Sequence, residues 1–477
     1  MTASAPDSPV EPAAPSTGAA TPLRKRNRAL RVVGIGVVAV LITIGCALGY
    51  FLAFPSQAPI FLDRWIEDTI GANPNPIELM RPPEHPLSLL AQVGQKIFYD
   101  PSLSASGKQS CSSCHDPARA YGPPNGSDVQ FGGPDLHQEG IRTPPSLAYL
   151  YRQGGFGIGP SAGDTDAQIP LDQLAQKALS APRQVKSAAA PGQVAMVPAG
   201  GLFWDGRVNM LMDQAMGPMM NPAEMANKDR FAVDKKLRSA PYMHDLESLF
   251  GKQAMQRPEL LFIEAMSALS AYQVESVAFH RFNSKYDGWL EGKERLSLAE
   301  MRGLRLFNDP DKGNCAACHL SQPSRDGVPP LFTDTEYESL GVPRNHRLAV
   351  NRDPSFYDMG VCGPIRKDLA KQTQYCGMFL TPSLRNSARR GVYFHNGVYH
   401  DLHQVLRFYN LRAAHPEQIY PHDAQGHLLI YDDLPVQYHA NIDTTDAPFT
   451  QARGDKPPLT DADIDDIIAF IRTLDDR

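Results

Sequence analysis

The chain has 477 residues, a length that predicts two or three folded units. Charges of both signs are interspersed and the formal net charge is −6, so the composition does not indicate a nucleic-acid-binding protein. The 42 prolines and 37 glycines favour a fold that is rich in loops.

The N-terminal region changes from polar to apolar. Residues 1–22 are rich in Ala, Pro, Ser and Thr, and five basic residues follow before an uncharged stretch from Val32 to Phe54. A helix of this length, at about 1.5 Å per residue, exceeds a hydrocarbon core of about 30 Å. We therefore predict a disordered, basic cytoplasmic tail at 1–31, a single transmembrane anchor at 32–54 and a linker at 55–84.

A cleaved signal peptide is the alternative to this anchor. Ser56-Gln57-Ala58 resembles a small-residue cleavage site, although the apolar core of a signal peptide is normally shorter. Cys46 follows Gly45 as a lipid-modified cysteine does. The apolar run continues beyond Cys46, which favours an ordinary residue of a membrane helix.

Two Cys-x-x-Cys-His motifs dominate the rest of the chain, at Cys111–His115 and at Cys315–His319. In this spacing two thiols can bond to the vinyl groups of a haem while the adjacent imidazole ligates its iron. A zinc site would need a second ligand pair nearby, and a redox dithiol does not explain the repeated His. We predict two covalently bound haems c, the first held by Cys111, Cys114 and His115 and the second by Cys315, Cys318 and His319.

Covalent haem attachment takes place outside the bacterial inner membrane, where disulfides persist. We therefore expect a single-pass protein of the bacterial inner membrane, with a cytoplasmic N-terminus and periplasmic catalytic domains. Cys362 and Cys376 lie close in sequence and are predicted to form a disulfide, the alternative being two buried free thiols.

The two halves repeat one order of features. Similar stretches, Gly94–Phe98 and Gly303–Phe307, precede the two motifs, and an amphipathic helix closes each half. Apolar residues at helical spacing mark these closing helices: Ile263, Met266 and Leu269 in the first, and Ile464, Ile467, Ile468 and Ile471 in the second. Ser297 and Glu300 form a capping box.

This order is typical of small cytochromes c. We predict an all-α, loop-rich fold of two cytochrome c-like helical haem domains, at 85–285 and 293–477, preceded by the transmembrane helix. Residues 150–202 have weak periodicity and predict a surface loop within the first domain. A lid or docking loop is the alternative for this insertion.

Several further motifs carry a specific resemblance. The chain resembles the bacterial di-haem cytochrome c peroxidase family, and within it the MauG-like branch. The matching stretches span most of residues 88–474 and are Cys111–Ala120, Arg142–Pro144, Phe203–Arg207, Gln214, Pro218, Asn221–Met225, Thr381–Asn386 and Tyr393–Gly397.

The resemblance implies catalytic roles for three residues. Trp204 would lie between the haems and relay electrons, and Gln214 and Glu224 would line the distal pocket of the first haem. Glu224 would move a proton between the two oxygens of bound peroxide. From the residues alone, Glu224 could equally be a helix N-cap or a first-turn residue. A Trp is likewise more often a core residue than a relay.

The resemblance also implies the iron ligands. Tyr409 lies fourteen residues after His395, where ordinary di-haem peroxidases have a Met, so the second haem would have His319 and Tyr409 as ligands. An aromatic residue packed on a helix is the alternative for Tyr409. The chain has Phe131 before Gly132-Gly133, where ordinary members have a displaceable His. We therefore expect an open first haem, with His137 as a solvent-facing loop residue.

An inter-domain calcium ion is common in this family. Its carbonyl ligands would be those of Arg390 and Val392, but the usual asparagine is not evident near Tyr149, which leaves Ca²⁺ open. His395 is expected to belong to a network between the haems.

Together these expectations describe a peroxidase whose electron donor is open. It would reduce hydrogen peroxide at the first haem and share the oxidising equivalents with the second through Trp204. The electron donor is open among a small cytochrome, quinol and a side chain of a partner protein. Two other functions also stay open: a di-haem electron-transfer cytochrome without peroxide chemistry, and a haem-dependent oxygenase of an organic substrate.

Overall fold

The computed structural model describes residues 38, 40–47, 49–50, 60–160 and 196–477. The predicted tail at 1–31 and much of the predicted insertion, 161–195, lie outside the described residues. Within the predicted anchor, the described residues between 38 and 50 are helical. No described helix is both long enough and apolar enough to cross a membrane. The anchor at 32–54 therefore stays a prediction.

Helices make up most of the regular structure. In chain order they are α1 (Ile60–Ile70), α2 (Leu89–Phe98), α3 (Leu211–Met220), α4 (Arg230–Leu237), α5 (Met243–Phe250), α6 (Lys252–Met255), α7 (Pro258–Glu275), α8 (Lys285–Leu290), α9 (Leu298–Asn308), α10 (Leu402–Leu411) and α11 (Asp461–Arg472). Each Cys-x-x-Cys-His motif begins with a 3₁₀ turn, at Cys111–Ser113 and Cys315–Ala317. Residues Arg64–Arg477 form one compact unit.

Within the residues that the structure describes, three short antiparallel pairs of strands add to the all-α fold that the sequence predicts. They are β1 (Phe131–Gly132) with β2 (Gln138–Glu139), β3 (Gly157–Pro160) with β4 (Met196–Ala199), and β5 (Tyr337–Glu338) with β6 (Phe379–Leu380). The region 150–202 was predicted as a loop, but β3 near its start is hydrogen-bonded to β4 near its end. The sequence did not predict β3 and β4, because both contain glycine or proline, which are uncommon within strands.

The two halves use the same helix crossing next to their motifs. A Cβ atom on Gly94 of α2 would lie 1.9 Å from the carbonyl oxygen of Ala268 on α7. A Cβ atom on Gly303 of α9 would lie 1.9 Å from the carbonyl oxygen of Asp466 on α11. Only glycine permits this approach of two backbones. Each half therefore has its own pair of closely crossed helices.

Local signals in the sequence account for the ends of these helices. The predicted capping box is present at the start of α9, where the Ser297 hydroxyl accepts from the backbone N–H of Glu300. Thr460 and Asp463 form a second capping box at the start of α11. The predicted closing helices are confirmed as α7 and α11, although Ile263 is only half-buried.

The apolar side chains form two main cores. The first draws on residues 93–279, chiefly from α2, α3, α4 and α7, and the second on Leu79 and residues 286–474, chiefly from α8, α9 and α11. Cys362 and Cys376 are joined by a disulfide next to a smaller apolar cluster that contains Tyr337 and Tyr375. The crossed helices and their cores thus place one Cys-x-x-Cys-His motif in each half.

Candidate active site

The first motif opens into a cavity. Cys111, Cys114 and His115 all line it. The facing helices contribute further walls: Phe98 from α2, Gln214, Ala215, Pro218 and Met219 from α3, and Leu269 and Gln273 from α7. A 3₁₀ turn thus presents both thiols and the imidazole to one largely apolar space.

His115 is oriented for iron ligation. Its Nδ1–H donates to the carbonyl oxygen of Tyr121 at 3.0 Å, which leaves Nε2 free for a metal. Burial lowers the pKa of His115 to about 4, so the imidazole is neutral at physiological pH. Burial also raises the pKa of Cys111 to about 12 and that of Cys114 to about 11. Neither thiol is therefore activated as a redox dithiol requires.

Glu224 and Gln214 lie in the wall of the same cavity. Glu224 is in the turn that follows α3, where Asn221 Nδ2 donates to Glu224 Oε1 at 2.5 Å. Burial raises the pKa of Glu224, and Asn221 and the nearby Arg207 offset part of that rise. Glu224 is therefore a half-buried carboxyl group in the wall of the cavity, where it can exchange a proton.

The Phe131-Gly132-Gly133 loop supports this turn from outside. The backbone N–H of Gly133 donates to the carbonyl oxygen of Glu224 at 2.8 Å, and a Cβ atom on Gly132 would lie 2.4 Å from the carbonyl oxygen of Ala223. Phe131 and His137 are both exposed, and neither lines the cavity. Among the described residues, His115 is the one histidine in its wall.

The second motif opens into a larger cavity. Cys315, Cys318 and His319 line it together with Tyr409 of α10. His319 Nδ1–H donates to the carbonyl oxygen of Phe332 at 2.9 Å, so Nε2 is again free. Burial lowers the pKa of His319 to about 4, and burial together with the cysteines raises the pKa of Tyr409.

Trp204 and His395 also lie in the wall of the second cavity. The indole N–H of Trp204 donates to the carbonyl oxygen of Thr143 at 2.8 Å, and the backbone N–H of Thr143 donates to the carbonyl oxygen of His395 at 2.8 Å. The segment that starts at Thr143 continues to Leu147, which lines the first cavity. Trp204, in the wall of the second cavity, is therefore one hydrogen bond from a segment that reaches the first cavity.

A buried ion network, which the sequence did not predict, surrounds this region. Arg142 bonds to Asp205 at 2.7 Å and to Asp358 at 2.6 Å, and Arg207 pairs with Asp205 at 2.8 Å. Burial acts to raise the pKa of Asp358, but the charge of Arg142 outweighs it and holds that pKa below its ordinary value. Arg142 and Asp358 are 216 residues apart, so no local pattern could have linked them.

Unpartnered polar atoms around the cavities fit a haem in each. Gln109 Oε1 and Gln273 Oε1 are buried without a hydrogen-bond partner in the first cavity. Beside the second cavity, Arg412 bonds to two backbone carbonyls and stacks on Phe449, while its Nε lacks a partner. A buried guanidinium of this kind suits an anionic group such as a haem propionate. With the thiol pairs and free Nε2 atoms, these residues fit two haems c.

The residues expected to bind calcium do not fit that ion. Arg390 is half-buried, and its guanidinium donates to the carbonyl oxygens of Val392 at 3.3 Å and Pro144 at 3.1 Å. The carbonyl oxygen of Arg390 accepts from the Tyr393 hydroxyl at 3.0 Å. Both predicted carbonyl ligands are thus already bonded, and a positive charge occupies their surroundings. Burial lowers the pKa of Arg390 to about 10.

Comparisons with known proteins agree with this site. A family model described as di-haem cytochrome c peroxidase matches residues 89–295. The methylamine utilization protein MauG of Paracoccus denitrificans is 33% identical over 404 residues, which cover 81% of this chain and 89% of MauG. The cytochrome c551 peroxidase of Nitrosomonas europaea is 28% identical over 320 residues, which cover 66% of this chain and 71% of that protein. The crystal structure of the diheme peroxidase BthA from Burkholderia thailandensis matches with a TM-score of 0.69 and 33% identity, over 84% of this chain and 89% of BthA.

Proposed function

The chain belongs to the di-haem cytochrome c peroxidase family, and from this premise we propose that it reduces hydrogen peroxide at its first haem. The family is one of oxidoreductases with two c-type haems, and this chain has one Cys-x-x-Cys-His motif and one cavity for each haem. The net reaction consumes two electrons and two protons per peroxide and releases two waters.

The position of Glu224 carries this proposal. Cleavage of the peroxide O–O bond requires a proton to move from one oxygen to the other, and Glu224 is a half-buried carboxyl group in the same cavity as His115. The haem, when bound, supplies the iron that binds peroxide. Glu224 takes the proton from one oxygen and delivers it to the departing one, Asn221 fixes the carboxyl group, and Gln214 orients the substrate by hydrogen bonding.

The second haem is proposed to store oxidising equivalents, with His319 and Tyr409 as its ligands. Tyr409 lines the second cavity together with His319, which supports this assignment. A phenolate is a harder and more anionic donor than the thioether of Met, so it favours oxidised iron. Trp204 is proposed to exchange electrons between the two haems. The hydrogen bond from its indole to Thr143 supports that role.

The setting of the reaction is also a proposal. The apolar run at 32–54 supports an anchor in the bacterial inner membrane, with the haem domains in the periplasm. An anchor favours a donor at the membrane, such as quinol or a small cytochrome. The Tyr409 ligand favours oxidation of a side chain on a partner protein, as the resemblance to the MauG-like branch implies.

Spectroscopy of the haem-loaded protein tests the function. An open first haem predicts a high-spin ferric EPR signal and a rapid optical change on mixing with peroxide, without prior reduction. Cyanide added first should occupy the iron and abolish the optical change, which provides the control. Two low-spin irons and no reaction in either redox state would refute the peroxidase and favour the electron carrier. The steady-state rates of peroxide reduction with cytochrome c and with quinol as electron donors then identify the donor class.

A further inference from the structure

A group of aromatic rings leads away from the first cavity on the side of α2. Phe98 lines that cavity, and its ring centroid is 5.1 Å from the ring of Tyr99, 5.7 Å from that of Tyr121 and 5.7 Å from that of Tyr272. Three phenols therefore surround one residue of the cavity wall. None of the three has a part in the proposed peroxide chemistry.

Tyr121 connects this group directly to the iron ligand. Its carbonyl oxygen accepts from His115 Nδ1–H at 3.0 Å, and its ring stacks on Phe279 at a centroid distance of 3.7 Å. The ring of Phe279 is in turn 5.2 Å from that of Tyr272. Tyr121 and Tyr272 are thus joined through one intervening ring.

Tyr99 brings the group to the surface. Tyr121 is 3% exposed and Tyr272 is 2% exposed, but Tyr99 is 43% exposed. Burial, together with the nearby phenol of Tyr272, raises the pKa of Tyr99 to about 12, so the phenol is protonated at physiological pH. Loss of an electron from Tyr99 would therefore release a proton, and solvent at its exposed side can accept it.

Electron transfer explains the presence of three tyrosines around Phe98 better than side-chain packing alone does. Phenylalanine would fill the same buried positions without placing hydroxyl groups in an apolar core. Tyrosine is the residue type that adds a readily oxidised ring, and here three such rings lie between a haem cavity and the surface.

We propose that Tyr121, Tyr272 and Tyr99 form a path along which oxidising equivalents leave the first haem for the protein surface. This inference rests on the proposed function, because peroxide is the oxidant. One electron passes from the Tyr99 phenol to the oxidised haem centre, and the phenolic proton goes to solvent. A one-electron donor such as a soluble phenol restores Tyr99. Without a donor, two chains that have each reacted with one peroxide carry one Tyr99 radical each, and these radicals couple through a new C–C bond to form dityrosine. The second oxidising equivalent of each peroxide stays within its own chain.

The path is tested on the haem-loaded protein with hydrogen peroxide and no added donor. We expect a tyrosyl radical in rapid-freeze EPR, and dityrosine at the peptide containing Tyr99 in mass spectrometry. Tyr99→Phe should abolish that cross-link, and Tyr272→Phe should do so although Tyr99 is still present. Tyr438, a partly exposed tyrosine of the second half, supplies the matched control, because Tyr438→Phe should leave the cross-link unchanged.

The possible results separate this path from the proposed function. If the parent protein changes its haem spectrum with peroxide but Tyr99 is not oxidised, the path is refuted and the peroxidase stands. Full cross-linking in Tyr272→Phe also refutes the path, because Tyr99 would then be oxidised by another route. If the haem spectrum of the parent does not respond to peroxide at all, both proposals fail.

Discussion

Replacing Glu224 by glutamine tests the proton transfer on which the proposed peroxidase depends. Glutamine has nearly the same shape, and its carbonyl oxygen can still accept from Asn221 Nδ2, a bond of 2.5 Å in the parent. The variant should therefore keep the fold, both haems and the resting spectrum. It loses only the titrating group. General acid–base catalysis is typically worth about 10²–10⁴-fold, so oxidation by peroxide should slow by at least about 10²-fold.

The pH dependence follows from the raised pKa of Glu224. The ionised carboxylate is the proton acceptor, so the rate in the parent should rise as pH increases through a pKa above the ordinary range of Glu. The glutamine variant should lack this step. At pH values between the pKa of Glu224 in the unfolded chain and its raised pKa in the folded protein, the folded state binds more protons than the unfolded state. The free energy of unfolding therefore falls as pH rises through this interval. The variant should therefore be at least as stable as the parent at pH 7 in thermal unfolding.

Stopped-flow mixing with peroxide measures the rate in both proteins. Glu264→Gln is the matched control, because burial also raises the pKa of Glu264 but that residue does not line the cavity. The control should react at the parental rate. Equal rates for the Glu224 variant and the parent would show that Glu224 is not the catalyst. A slow variant with an altered resting spectrum would instead indicate a disturbed haem pocket.

Three further predictions address the second haem, the calcium question and the anchor. Tyr409→Phe should leave both haems attached, change the spectrum of one and raise its potential, whereas unchanged spectra and potentials would make Tyr409 a packing residue. Calcium chelation should alter neither the haem spectra nor the thermal unfolding of the parent, because the Arg390 guanidinium already bonds the Val392 carbonyl; loss of haem signal or stability on chelation would contradict this. The full chain should fractionate with membranes, while a chain that starts near Ala72 behind a cleavable export signal should be soluble and haem-loaded. Recovery of the native protein mainly in the periplasmic fraction, starting after Ala58, would refute the anchor.

Local sequence patterns predicted the elements that depend on local chemistry. The capping box at Ser297 and the closing helices α7 and α11 follow from hydrogen-bonding residues and apolar spacing within a few turns of chain. Gly94 and Gly303 were noted only as parts of a repeated stretch. The fold explains why both positions are glycine, because each allows the backbones of two crossing helices to touch.

Long-range charge pairing was beyond such patterns. Asp358 has no motif around it, yet it shares the buried Arg142 with Asp205. The side chain of Arg390 was also missed, since only its carbonyl was considered as a ligand. The Arg390 guanidinium bonds to the carbonyl oxygen of Pro144, which is 246 residues away in the chain. A single sequence does not show that two such distant segments are in contact.

The surroundings of the aromatic residues suggest why the protein would need two different electron paths. Trp204 donates its indole N–H to the carbonyl oxygen of Thr143, a group that does not take up a proton at ordinary pH. An oxidised Trp204 would therefore keep its proton and return to its resting state by electron transfer alone, as a reversible relay between haems requires. Tyr99 has the opposite surroundings, because the residue is 43% exposed and solvent at its exposed side can accept its proton. Oxidation there ends in a neutral radical that an external donor must reduce. If both proposals hold, the location of the proton separates storage of oxidising equivalents inside the protein from their release at its surface.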